Sequence, residues 1–272
     1  MKLTTLRTAI NQGRPAVGML VMLDGGASAR VLAHLGYDFL VFDLQHGAID
    51  LAGIEAVLAG VMGTPCTPVA RVHARRPDQI EWVLDLGAHG VVVPMVMSAE
   101  DAALATAACR YPPRGRRSVA ALRNVLVRGS DYMHQANDDV VCIIQIEHIE
   151  AVQRIDEILD VQGIDAVLPG HVDLALSMGH TMRYGASVSN TVPTEVAQAM
   201  ARIEAACAAR SIPVIPVTGT TQEFELAMQR GQRIACCNTD FHLFMGAASA
   251  QLAACRAIAQ GPQAAPIKLQ PN

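Results

Sequence analysis

The stretch DFLVFDLQHG, residues 38–47, decides how the chain reads as a fold. It starts as a near-continuous apolar run, then turns polar at Asp43, Gln45 and His46, and ends on Gly47. An apolar run without alternation marks a parallel strand buried on both faces. Seven other stretches have this character: AVGMLVM (16–22), PVARV (68–72), GVVVPMV (90–96), VCIIQIE (141–147), DAVLPG (165–170), PVIPVT (213–218) and RIACCN (233–238). Helical patterns such as SARVLAHLG, RPDQIEWVLDLG and PTEVAQAMARIEAACAAR lie between them, several closing on a Gly suited to a helix C-cap. Eight strand–helix units in about 250 residues predict an α/β protein, a (β/α)8 TIM barrel in a single domain over 1–260. A doubly wound sheet is the alternative, but LDGGAS after the first strand lacks the GxGxxG of a dinucleotide fold.

Composition narrows the function. The 272 residues are 51% hydrophobic, enough for one large core, and the net charge of −4 gives no basic excess for nucleic acid. Only 17% of residues are charged, which suggests surface buried between subunits of a homo-oligomer. No apolar stretch approaches the roughly 20 residues that span a bilayer, and MKLTTLRTAI lacks the apolar core of a signal peptide. The seven cysteines form no CxxC pair and read as small buried hydrophobes in a reducing cytosol. The expectation is a soluble cytoplasmic protein without a membrane partner. Residues 111–138 break the strand–helix rhythm with Pro112, Pro113, Arg114, Arg116 and Arg117, as a lid, an interface element or a solvated loop would. The Pro- and Gln-rich residues 261–272 read as a poorly ordered tail.

A barrel builds its active site at the C-terminal ends of its strands. There the sequence offers Asp43, Gln45 and His46; Arg71; Gln145 and Glu147; Gly170 and Asp173; and Asn238, Thr239 and Asp240. Each has a structural explanation of its own: an ion pair for Arg71, helix caps for Glu147 and Asp173, a satisfied buried imidazole for His46. Together they are harder to explain so, because each buried unpaired ionisable group costs several kcal/mol. Glu147 and Asp173 make a hard oxygen pair for Mg2+ or Mn2+, and no Cys/His spacing suggests structural zinc. The backbone amides of Gly170, His171 and Val172 suit a carboxylate. Arg71 offers a fixed fork for a developing oxyanion, and His46 a proton acceptor. That set describes enolisation of a 2-keto acid followed by attack on an aldehyde.

The stretches FDLQHG, VARV, LDLGAHGVVVPMV, RYPPRGRRSV, IQIE and GHVDLALSMG resemble the HpcH/HpaI aldolases, class II pyruvate aldolases acting on 4-hydroxy-2-keto acids. The resemblance runs from about Leu3 to Ala257. It implies a metal-dependent lyase that joins or cleaves pyruvate, or a relative such as hydroxypyruvate, and an aldehyde through a metal-bound enolate. It implies His46 as base, Arg71 as transition-state stabiliser, Asp85 as the acid behind the histidine and Asp43 as an acid near the metal-bound waters. Glu147 and Asp173 match the metal ligands, for Mg2+, Mn2+ or Co2+, while Gln145 and the backbone at Gly170, His171 and Val172 match the keto-acid contacts. It also implies a last helix swapped between subunits and a hexameric trimer of dimers. The chain departs from the common pattern with Gln45 in place of Glu, His171 in place of Pro, Asn238 in place of Gly and Leu20 in place of an aromatic. A decarboxylase of oxaloacetate-like acids is the alternative function; a lyase acting on CoA thioesters and a non-catalytic barrel rank lower. Within 114–125, Arg116, Arg117 or Arg123 reads either as an anchor for an acidic acceptor or as part of a salt-bridged interface loop.

Overall fold

The structure, a computed structural model, describes residues 3–23, 26–119, 122–181 and 192–260; the expected tail at 261–272 lies outside them. Seven parallel strands form one curled sheet: β1 (Ala16–Val21), β2 (Phe39–Asp43), β3 (Thr67–Arg71), β4 (Gly90–Val93), β5 (Val141–Ile146), β6 (Ala166–Pro169) and β7 (Ile234–Thr239). Their order is β6-β5-β4-β3-β2-β1-β7, with helices covering the outside, an architecture of the TIM-barrel type.

The expected strand at 213–218 takes another form. Pro213 and Pro216 have no N–H to give to a ladder, so this segment makes only isolated bridges, Val167 to Val214 and Val217 to Cys236. Toward β6, the Val167 N–H donates to the Pro213 carbonyl (3.0 Å) and Ile215 donates back to Val167 (2.8 Å). Toward β7, Thr218 donates to the Cys236 carbonyl and Cys236 to that of Pro216, both at 2.9 Å. The segment thereby joins the two edges of the sheet.

Side-chain alternation divides the core in two. Phe42, Leu40, Ala70, Cys142, Ile144 and Val167 face outward and pack under the helices with Leu58, Ile80, Leu84 and Ile158. Leu20, Phe39, Val41, Val69, Val92, Val141, Ile143, Leu168 and Ile215 face inward and fill the ring. The helix Thr5–Gln12 seals the N-terminal end, adding Leu6 and Ala9 to the inner cluster, with the Leu6 N–H on Thr67 Oγ1 at 3.0 Å. The C-terminal end receives no such plug among the described elements, and the inward positions there are polar.

Residues 111–119 and 122–138 are tied to the outside of the ring. Helices Leu122–Arg128 and Tyr132–Asp139 form within them, and Asn124 Nδ2 donates to the Leu84 carbonyl at 2.7 Å. Arg117 is 1% exposed, its guanidinium over the Tyr111 ring at 4.7 Å and its Nη2 2.6 Å from Asp85 Oδ1. Arg123 pairs with Glu55. Arg117 and Arg123 are therefore structural within the chain; the reading of Arg117 as an acceptor anchor is corrected by its burial. The outward face stays apolar, with Leu122 78% and Leu126 86% exposed.

Breaking a buried charge pair from one side costs about 3–5 kcal/mol. Arg117→Ala is expected to lose stability on that scale in chemical denaturation, and to change turnover of acidic and neutral aldehydes equally. A selective loss for acidic aldehydes would restore the acceptor-anchor role.

Candidate active site

The inward parity of each strand carries straight into the site. On β2, Phe39, Val41 and Asp43 point inward; on β3, Val69 and Arg71; on β5, Val141, Ile143 and Gln145, with Glu147 one step beyond. Asp43 and Arg71 are register partners on adjacent strands. The guanidinium grips the carboxylate twice, Nε to Oδ1 at 2.8 Å and Nη2 to Oδ2 at 2.6 Å. Asp43 is fully buried, and its Oδ1 also accepts the N–H groups of Gln45 (3.0 Å) and His46 (3.2 Å). The acid thus shapes the turn that sets His46, whose side chain is exposed at the mouth. Gly47 follows because a Cβ there would overlap the Asp43 and Met22 carbonyls, and Ala48 donates to Met22 at 2.7 Å.

Arg71 Nη1 lies 3.5 Å from Gln145 Oε1, and Gln145 Nε2 donates to Glu147 Oε2 at 2.5 Å. Glu147 Oε1 accepts the Met95 N–H at 2.7 Å. Gly170 is required beside it: a Cβ would come 2.6 Å from Glu147 Oε2. Helix His171–Ser177 starts there, with His171 and Val172 half-buried and Asp173 exposed in its first turn. Burial pushes the Glu147 carboxyl up to about 7; the neighbouring Asp173 adds to this, and the Met95 N–H and Arg71 oppose it. Burial lowers the His171 imidazole, against the pull of Glu223 and Asp173.

Two carboxylates that hold one of themselves protonated are a donor pair short of positive charge. An oxygen-only pair with Gln145 beside it fits a hard divalent cation such as Mg2+, Mn2+ or Co2+. No group of three or more His, Cys, Asp or Glu arranged for a metal occurs among the described residues, so water and substrate oxygens would complete the shell. The buried Gln45 Oε1 has no hydrogen-bond partner in the chain.

Asp85 is not brought to His46 within one chain. It ends helix Pro77–Asp85, at the N-terminal end of the strands, and is engaged by Arg117. Within one chain it lies at the opposite end of the barrel from His46 and does not pair with it. Asp240 serves as a tie: its Oδ1 takes the N–H groups of Met22 (2.7 Å) and Phe241 (2.8 Å), joining the loop after β1 to the last helix. Sequence reading found Glu147 at the end of β5 but missed Met95, whose N–H it accepts, and Arg75, which holds the Met95 carbonyl. A groove of about 420 Å3 at the N-terminal end, lined by Thr67, His89, Arg123 and Arg128 among others, has both arginines paired, to Glu55 and Asp139.

Residues 17–247 match the family model described as HpcH/HpaI aldolase/citrate lyase. The hydroxypyruvate/pyruvate aldolase of Rhizorhabdus wittichii is 39% identical over 198 residues, 73% of this chain and 77% of that protein. The 4-hydroxy-2-oxo-heptane-1,7-dioate aldolase of Klebsiella pneumoniae is 40% identical over 64% of this chain and 67% of its own length. A crystal structure of an HpcH/HpaI aldolase/citrate lyase family protein from Burkholderia cenocepacia superposes with a TM-score of 0.82 at 29% identity, covering 93% of this chain and 99% of that one. The chain belongs to the HpcH/HpaI aldolase/citrate lyase family, and it is a carbon–carbon lyase.

A cation at Glu147 must displace its proton. Mn2+ affinity, measured by calorimetry, is expected to fall about tenfold per pH unit below pH 7 and to level off above it. The folded protein also holds this proton more tightly than the unfolded chain, whose carboxyl titrates near 4.5. Metal-free protein is therefore expected to lose stability as pH rises from 4.5 through 7. A pH-independent Mn2+ affinity between pH 5 and 8 would exclude Glu147 as a ligand.

Proposed function

We propose that this enzyme catalyses reversible aldol addition and cleavage between pyruvate, or a close 2-keto acid such as hydroxypyruvate, and an aldehyde. One observation carries the reading: the hydrogen-bonded line Asp43–Arg71–Gln145–Glu147 across the strand ends, with a second carboxylate on Asp173. The aldolase relatives support the same reaction class.

Glu147 and Asp173 would hold a divalent cation, which when bound supplies Lewis-acid polarisation of the keto-acid oxygens. Gln145 and the amides of His171 and Val172 orient the carboxylate at the start of helix His171–Ser177, while the Gly170 N–H donates to the Ile146 carbonyl at 3.0 Å. Two of the Arg71 donors are fixed on Asp43, which leaves Nη1 to face the ketone oxygen as negative charge grows there. His46 takes a proton from the carbon next to the ketone; the C–H electrons form a carbon–carbon double bond and the carbonyl pair moves onto oxygen. The enolate carbon then bonds to the aldehyde carbon, and the new alkoxide recovers the proton from His46. Cleavage runs the same steps in reverse.

The reading extends to assembly. Helix Asp240–Gln260 has one buried residue, Asp240, while Phe244 is 68% and Ile258 80% exposed. An apolar helix so uncovered supports a homo-oligomer in which the last helix packs on a neighbouring subunit, in a trimer of dimers. All seven cysteines are free thiols, which supports a reducing, cytoplasmic setting. No described helix is long and apolar enough to cross a membrane.

The test of the chemistry is methyl-proton exchange of pyruvate in deuterated water, followed by NMR. Wild type with Mg2+ or Mn2+ is expected to exchange above the buffer rate and His46→Ala to lose at least 100-fold. Exchange that survives in the variant would remove His46 as base; loss of carbon dioxide from oxaloacetate without any aldehyde dependence would favour a decarboxylase. For the assembly, Phe244→Glu is expected to lower the mass seen by light scattering from six chains toward one, and an unchanged hexamer would refute the packing of this helix on a neighbour.

A further inference from the structure

Beyond β4 the chain makes a short hook. Pro94 ends the strand, and Met95 takes φ +53°, the left-handed region that a residue with a Cβ seldom adopts. The hook aims three successive amides. Met95 donates to Glu147 Oε1 at 2.7 Å, Val96 to the Gln145 carbonyl at 3.2 Å and Met97 to Asp101 Oδ2 at 2.9 Å. The left-handed φ turns the chain after the first amide, so that the Met95 N–H can serve Glu147 while the Met95 carbonyl faces away from it toward Arg75.

The other side of the hook is held by Arg75, from the loop after β3. Its Nη1 donates to the Met95 carbonyl and also reaches Asp101 Oδ2 at 3.1 Å. Asp101 is itself fixed in the first turn of helix Ala99–Cys109, where its N–H is capped by Ser98 Oγ at 3.2 Å. One guanidinium therefore ties the hook to a helix end and to the strained residue at once. The neighbouring Arg76 pairs with Asp78 on the surface and takes no part.

We propose that Arg75 is a positioning residue: by holding the Met95 carbonyl against Asp101 it keeps Met95 left-handed, and so orients Glu147 to receive the divalent cation. The link to the metal rests on the reading of Glu147 as a ligand. The hook itself does not, so the two can fail separately. A clamp and a mere nearby charge also differ in sign. A cation removed from beside a dication site relieves repulsion and tightens metal binding, whereas release of the hook lets Glu147 drift and weakens it.

The experiment compares wild type, Arg75→Ala, Arg75→Lys, Arg76→Ala and Glu147→Gln by two measurements. Hydrogen–deuterium exchange of the metal-free proteins reads the hook: Arg75→Ala is expected to exchange at least tenfold faster over residues 95–97 with the rest of the barrel unchanged. Mn2+ titration followed by electron paramagnetic resonance reads the site. Arg75→Ala is expected to bind about 10–100-fold more weakly, the range seen when an outer partner of a metal ligand is lost. Arg75→Lys should fall between, and Arg76→Ala should match wild type. Unchanged exchange over 95–97, or Mn2+ affinity that is equal or tighter in Arg75→Ala, overturns the proposal. If Glu147→Gln binds Mn2+ like wild type, the ligand reading and the metal link fall together, while the exchange result still decides the clamp.

Discussion

The bidentate pair between Asp43 and Arg71 is the constraint around which the mouth is arranged. A fully buried carboxylate is costly unless its lone pairs are filled. Asp43 fills them with four donors: two from Arg71 and the two amides that follow it in the turn. The turn's shape and the arginine's direction are thus one problem with one solution. Two strands that happen to be neighbours in register supply both halves of it. From Arg71 the line continues over β4 to Gln145 and Glu147, so charge balance at one end of the ring reaches the other side of the mouth.

That continuity separates two kinds of polar residue. Asp43 has its lone pairs engaged by four donors of its own chain. Glu147 is different: it accepts an amide side chain and one backbone N–H, yet holds its proton up to about pH 7, since Asp173 stands close and burial removes water. The first carboxylate has its charge balanced by an arginine held on two hydrogen bonds; the second has none so placed. Neither type could be inferred from residue identity, because both are acids at the end of an apolar strand.

Much of this was legible in the sequence. Eight near-continuous apolar runs read as strands, five of them ending in polar residues, and seven are regular strands within three residues of their expected limits. The eighth is not, because Pro213 and Pro216 remove the N–H groups a ladder needs; the apolar run alone gave no weight to that. Strand-end logic named Asp43, His46, Arg71, Gln145, Glu147, Gly170 and Asp173 as candidates. It could not find Met95, since a left-handed φ at a non-glycine leaves no mark in the sequence, nor Arg75, which sits in the charged run HARRPD and resembles any surface arginine. Asp85 entered through family resemblance alone; it ends helix Pro77–Asp85 and pairs with Arg117 within the chain, so the local sequence suggested only a helix-surface residue. Arg117 looked like part of a solvated basic loop because nothing nearby in sequence announces the tyrosines that cover it.

The proline-broken segment gives the ring an unequal circumference. Around most of it, strands are joined by continuous ladders; between β6 and β7 the joint is two backbone hydrogen bonds on each side. Topologically the molecule is an open curled sheet with a latch. Thermal or denaturant stress would be relieved first where the fewest bonds must break together, so the barrel opens as a hinge opens, along one line. The ladder from β1 to β5, which bears Asp43, Arg71 and Gln145, would be spared.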